Sequence, residues 1–185
     1  MSVKNENLKR SFAMFGNLRV LVCSALFVAM SIVLGKFVPL INVDVLRFSL
    51  ENLPILMAGI VFGPAIGAVV GGVADIVGCV LVGYQINPVV TLGAITIGLV
   101  SGIFSFYIVK KFSLLKIALS VGAAHLCGSV LVKSFGLAAF YEWSVWVLML
   151  IRLLNYSILA VCETALIYLI LKNKFIYSQF DKMKG

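Results

Sequence analysis

Runs of nearly uninterrupted apolar residues constrain this chain more than any other feature. A helix rises about 1.5 Å per residue and needs roughly 20 apolar residues to cross hydrocarbon. Residues 18–36 form the first such run, and residues 64–82, 89–109, 114–132 and 144–171 repeat the pattern. A shorter run over 52–62 ends at Gly63-Pro64, where Pro64 suits the first turn of the next helix. Charged residues make up 12% of the chain, against about 25% in a typical soluble domain. That is too few polar groups to coat a small globule, while the 62% apolar content is far too high for disorder. The strand alternation of a membrane β-barrel is missing. The expectation is an all-α polytopic membrane protein, a six-transmembrane-helix bundle.

Basic residues precede the first run, yet the run is long and no small-x-small cleavage site follows, so it reads as a span and not as a signal peptide. The stretches 37–51, 83–88 and 133–143 read as loops. The chain carries 15 Lys and Arg against 7 Asp and Glu. In a membrane protein such an excess reports topology and not nucleic-acid binding, because Lys and Arg collect on the cytoplasmic side. With the N-terminus inside, Lys4, Lys9, Arg10, Arg19, Lys110, Lys111, Lys116, Lys172, Lys174, Lys182 and Lys184 are cytoplasmic, 11 of the 15. Lys36, Arg47 and Lys133 fall outside, and Arg152 lies within the membrane. The expected division is a cytoplasmic N-terminal segment (1–17), a six-helix membrane domain (18–172) and a cytoplasmic tail (173–185) in a multi-pass bacterial cell-membrane protein. Cys23, Cys79, Cys127 and Cys162 sit in apolar stretches without metal-ligand spacing and read as small buried thiols.

Ionisable groups inside apolar spans normally face a bundle interior or a wet cavity. Asp75, His125, Arg152 and Glu163 are such groups. They can line a site, or pair with one another to fix the packing. His125, Ser129 and Lys133 at i, i+4 and i+8 predict one helix face leading outward. Arg152, Asn155 and Tyr156 share one turn, with Glu163 on roughly the same face. Before the second run stand Arg47, Glu51 and Asn52. The third loop holds Tyr84, Gln85 and Asn87, and Phe140, Tyr141, Trp143 and Trp146 cluster near the last helix. The candidate binding set is Arg47, Glu51, Asn52, Asp75, Tyr84, Asn87, His125, Lys133, Arg152, Asn155 and Tyr156. Its cations favour an anionic ligand, its carboxylates and amides suit the donor edge of a heterocycle, and its aromatics offer stacking. The glycines of the third span, with Gly67, Ala68, Gly71 and Gly72 in overlapping small-xxx-small pairs, read as packing.

No phosphate-binding loop, zinc-protease motif or nucleophile elbow occurs, so no enzyme, cofactor or metal site is expected. Uphill transport would need an ion gradient or a borrowed motor. Ala25 and Ala29 give the first helix a small-residue stripe on which a membrane partner could dock.

Taken in order, Arg47-Phe-Ser-Leu-Glu-Asn-Leu-Pro54, Gly59-Ile-Val-Phe-Gly-Pro-Ala-Ile-Gly67, Asp75-Ile-Val-Gly78, Gly83-Tyr-Gln-Ile-Asn-Pro88 and Thr91-Leu-Gly-Ala94 resemble the substrate-binding S components of energy-coupling factor (ECF) vitamin transporters, nearest the folate family. The resemblance spans about residues 18–172. It implies a vitamin ligand, folate or a relative, taken up from outside, with docking through Ala25 and Ala29 to a transmembrane coupling subunit that carries two ABC ATPase subunits. It also implies that the 47–54 and 83–88 loops are pocket walls. A stand-alone gradient-driven transporter of a small organic anion is the alternative.

Overall fold

The computed structural model describes residues 13–37, 41–43, 46–108, 113–141 and 144–183 of the 185-residue chain. Lys4, Lys9, Arg10, Lys110, Lys111, Trp143 and Lys184 lie outside the described residues. Among those described, five helices are long and apolar enough to cross a membrane: Leu18–Phe37, Pro64–Val82, Pro88–Tyr107, Leu114–Ala139 and Val145–Lys172. Asn52–Phe62 is apolar but shorter.

Helix α1 (Leu18–Ile32) starts at Asn17, whose side chain accepts from the Arg19 N–H at 3.0 Å, and ends in a wider turn over Val33–Phe37. A short antiparallel hairpin follows, β1 (Ile41–Val43) and β2 (Leu46–Phe48), with Asn42 opposite Arg47. Next come α2 (Asn52–Phe62), α3 (Pro64–Val82) and α4 (Pro88–Ile103). Helix α5 (Leu114–Ala124) runs into a π-helical segment, His125–Val132, and then into α6 (Lys133–Tyr141). Helix α7 (Val145–Lys172) is the longest, and α8 (Lys174–Met183) closes the order.

Every residue of α2 is buried. A helix apolar all round belongs inside a protein, and eleven residues at about 1.5 Å each reach only about half of a ~30 Å hydrocarbon layer. Gly63, at φ 97°, reverses the chain so that α3 runs back along α2. The arms touch where each has a glycine: a β-carbon added at Gly67 would stand 2.6 Å from the Gly59 Cα and 2.5 Å from the Gly98 carbonyl oxygen. Helix α4 is thus the axle. Its Gly98 meets the α3 backbone at Gly67, its Gly102 meets Pro64, and its Gly93 carbonyl lies 2.7 Å from where a Gly128 β-carbon would stand. The packing reading of the α3 glycines agrees with these contacts.

Two expectations need correction. The stretch 133–143 is not a loop up to its end. Helix continues through Tyr141, because Ala and Leu carry it and Gly136 is there to pass Val89, whose Cβ an added methyl would meet at 2.7 Å. The tail beyond 172 carries a helix of its own. Asn173 accepts from the Phe175 N–H at 3.0 Å and starts α8, which places Phe180 edge-on to Phe62 at 5.8 Å and beside Phe27 at 6.3 Å. The Met183 carbonyl accepts from the Asn17 amide at 2.7 Å, tying both described ends together. Of the cysteines only Cys79 is buried. Cys23 and Cys127 are half-buried and Cys162 faces outward, since an apolar run in a membrane helix has a lipid side as well as a core side.

Gly98→Val is expected to lower the thermal unfolding midpoint of the detergent-solubilised protein, at a cost of about 3 kcal/mol or more, because backbone and not a flexible side chain blocks the site. Gly122→Ala, which meets nothing within 4 Å, is expected to leave the midpoint unchanged or raise it slightly. A differential thermal-unfolding scan compares the two.

Candidate functional site

One polar cleft opens where α1, α2, α3, α4 and α6 converge. Ser31, Lys36, Glu51, Asn52, Asp75 and Lys133 line it, with Ile32, Ile55, Ala74 and Ala94 as its apolar walls. Each polar residue arrives for a local reason. Lys36 sits on the wide turn after α1, and its ammonium lies 5.5 Å over the Tyr84 ring. Glu51 caps α2 in the chain leaving the hairpin, and its carbonyl accepts from the Ser31 hydroxyl at 2.7 Å. Asp75 lies on the α4 side of α3, where its carboxylate accepts from the Thr91 hydroxyl at 2.7 Å.

Lys133 is 5% exposed, and its Nζ lies 3.7 Å from Glu51 Oε1. Buried cations are retained where an opposite charge stands near, and this pair supplies one. Asn52 is 1% exposed, and neither its side-chain oxygen nor its nitrogen has a hydrogen-bond partner. An unmade buried hydrogen bond costs about 1–3 kcal/mol per group, so this amide suits a partner with one donor and one acceptor. The first turn of α2 also faces the cleft, and a helix N-terminus carries partial positive charge that favours anions.

A second cluster lies between the π-helical segment and α7. His125 Nε2 is 2.5 Å from Glu163 Oε2, and its Nδ1 is 3.1 Å from the Ser129 hydroxyl. Both His125 and Glu163 are buried. The Tyr156 ring stacks on the imidazole at a centroid distance of 4.8 Å, and Asn155 is buried beside it in α7. Arg152 donates from Nη1 to the Ser129 carbonyl at 3.0 Å. The expectation that His125, Ser129 and Lys133 share one face is therefore corrected. The π-helical turns break the 100° step, so His125 faces α7 while Lys133 faces α4 and the cleft.

The candidate residues thus divide. Glu51, Asn52, Asp75 and Lys133 meet in the cleft, and Tyr84 stands at its edge through Lys36. His125, Arg152, Asn155 and Tyr156 meet behind it. Asn87 caps α4, accepting from the Val89 N–H at 3.0 Å and donating to the Gly136 carbonyl at 3.3 Å, so its side chain is engaged by structure. Arg47 is placed opposite Asn42 in the hairpin, and its side chain lies outside what the structure describes. Ser31, Lys36 and Thr91 were missing from the candidate set. Lys36 carried a signal, as a cation ending an apolar run on the same side as Lys133, and a Ser or Thr in an apolar helix carries none. Ala25 and Ala29 lie on the outward face of α1 beside exposed Leu21, Val22 and Leu26. No group of three or more His, Cys, Asp or Glu suited to a metal occurs among the described residues.

Three comparisons bear on this arrangement. A family model described as "ECF transporter, substrate-specific component" matches residues 19–175. A curated relative, the folate transporter FolT of Clostridium novyi (strain NT), is 26% identical over 150 residues, which is 80% of this chain and 86% of that protein. A solved structure described as FolT bound with folic acid aligns with a TM-score of 0.68 at 21% identity, covering 82% of this chain and 91% of that one.

Asn52→Leu is expected to stabilise the ligand-free protein by about 1–3 kcal/mol, because it removes a buried amide with no partner and keeps the branched shape, with the cleft beside it to take the added bulk. Thermal unfolding without ligand measures this, and a lower midpoint would mean that the amide is satisfied.

Proposed function

We propose, from the premise that this chain belongs to the family of substrate-specific components of ECF transporters, that it binds folate or a closely related vitamin in the cleft around Asn52. One observation carries the ligand assignment. The Asn52 amide is buried, turned into a cleft and unpartnered at both ends, so it seeks a flat group that offers a donor and an acceptor side by side. The edge of a pterin does so. Asp75 adds an acceptor for ring N–H groups. Lys36, Lys133 and the α2 N-terminus supply positive potential for the two carboxylates of a glutamate tail, and Tyr84 offers a face at the rim. The curated relative's name and the folic acid bound in the aligned structure support the same ligand class.

The mechanism follows from what the chain has and lacks. Binding needs only the cleft, and no motif for nucleotide hydrolysis occurs in the sequence. Energy then comes from partners, a transmembrane coupling subunit and two ABC ATPases, docked through Ala25 and Ala29 on the outward face of α1. In the bilayer we place six spans, counting α2 with its hairpin partner α3, and both termini inside. This sets the cleft toward the exterior, at the bundle end opposite Asn17, Gly63 and Lys172. A bacterial cell membrane is the site of action.

The purified chain is expected to bind folic acid or a reduced folate saturably without ATP at micromolar ligand. Lys133→Ala should weaken that binding about ten- to a hundred-fold, the worth of a charge-assisted hydrogen bond. No folate binding by the wild-type protein would reject the ligand, and capture of another vitamin would keep the class and change the substrate. Ala25→Trp should leave binding intact and abolish uptake by the assembled transporter. Gradient-driven uptake into liposomes without partner subunits would instead favour a stand-alone transporter.

A further inference from the structure

We infer that Arg152 is a positioning residue: its guanidinium holds the π-helical segment His125–Val132 in the register that delivers Lys133 to the cleft. This rests on the reading of the cleft as the vitamin site. The register is visible in the backbone, where the Lys133 N–H donates to the Gly128 carbonyl, five residues back and not four. Its consequence is geometric. On an α-helix, residues five apart point about 140° away from each other. Here Gly128 and Lys133 both face α4, and both bear on one residue. The Gly93 carbonyl lies 2.7 Å from where a Gly128 β-carbon would stand, and Lys133 Cε lies 3.3 Å from where a Gly93 β-carbon would stand. An α-helical register cannot keep the Gly128–Gly93 contact and the Lys133–Glu51 pair together.

π-helical turns are rare because they are less stable than α-helical ones, and they occur frequently at functional sites. This one is held from outside. Arg152, one of the few cations within the long apolar helices, makes its hydrogen bond to a backbone carbonyl, Ser129 O at 3.0 Å, in the middle of the segment. The His125–Glu163 pair and the Tyr156 stack fasten the segment's first turn to the same helix, α7. Arg152 is not among the residues that line the cleft, and it reaches the cleft through Lys133. Leaving a backbone carbonyl without its partner away from water is costly enough to shift a local register.

A double-mutant cycle on the purified chain with folic acid as probe tests the inference. Arg152→Gln and Lys133→Ala should each weaken binding by about ten-fold or more, and the double variant should bind within about two-fold of Lys133→Ala alone. Losses that multiply would mean that Arg152 contacts the ligand itself, and wild-type affinity in Arg152→Gln would mean that it positions nothing. Either result overturns the inference. Arg152→Lys, which keeps a cationic donor, should restore most of the binding; failure to rescue would overturn it too. A readout without ligand covers the case in which the protein binds no folate. In a background without native cysteines, Glu51→Cys with Lys133→Cys should be bridged by a short bifunctional thiol reagent when Arg152 or Arg152→Lys is present, and bridged at least about five-fold less with Arg152→Gln, because the register shift turns position 133 away from position 51. Equal bridging in all three would sink the positioning role while leaving the vitamin site standing, and lost folate binding with intact register-dependent bridging would do the reverse.

Discussion

Close backbone contact around α4 is the constraint on which the rest of this structure depends. In a bilayer the hydrophobic effect does not drive one apolar helix against another, because lipid is as apolar as the partner. Association must come from van der Waals contact and from carbonyl and Cα–H groups brought near. Gly67 on α3, Gly93, Gly98 and Gly102 on α4 and Gly128 in the π-helical segment supply the approach. With side chains at those positions the helices would separate, and α2 would lose the enclosure that makes eleven residues viable inside a membrane protein.

The functional geometry follows from that enclosure. Because α2 is short and the Gly63 turn sets its far end, its N-terminus stops part-way along its neighbours. That end brings Glu51, the Asn52 amide and a positive helix terminus into the interior. The helices around it then determine what faces the space left over: Asp75 from α3, Lys36 from the wide turn after α1 and Lys133 from the start of α6. Elsewhere in the bundle many polar groups are engaged locally, as the pairing of His125 with one oxygen of Glu163 illustrates, although Glu163 Oε1 and the Tyr107 and Ser134 hydroxyls have no partner. Asn52 differs in that both of its polar atoms are unpartnered and in that it lines the cleft, where a ligand can be received. A site built this way gives up stability in the empty protein for affinity in the loaded one.

Much of this was legible in the residues. Apart from the C-terminal end of the fifth, the spans fell within a few positions of the helices, because about 20 consecutive apolar residues admit few alternatives. Glu51, Asn52, Asp75 and Lys133 were recognisable one by one as polar groups that need a reason to be where they are. The misses have physical causes. Residues 133–141 looked like a loop because Gly136 and the aromatics resemble turn composition, while the glycine serves a contact with Val89 that lies far away in sequence. The helix beyond 172 was not foreseen, because its apolar residues, Ile176, Phe180 and Met183, recur at helical spacing in a segment too short and too charged to span. The cap that Asn87 makes was not legible, because a cap and a binding amide are the same chemistry seen without their surroundings.

The sequence by itself determined that this chain lives in a membrane, where its helices run, and which side chains are too costly to be there without purpose, since each of those follows from transfer energies of single residues and short windows. Only the tertiary structure decided how those side chains are sorted. A helical period of 3.6 puts His125, Ser129 and Lys133 on one face, and the π-helical turns divide them between α7 and the cleft. That choice is made by a guanidinium on another helix and a glycine on a third, and such pairings across the chain leave no mark in the local pattern of residues.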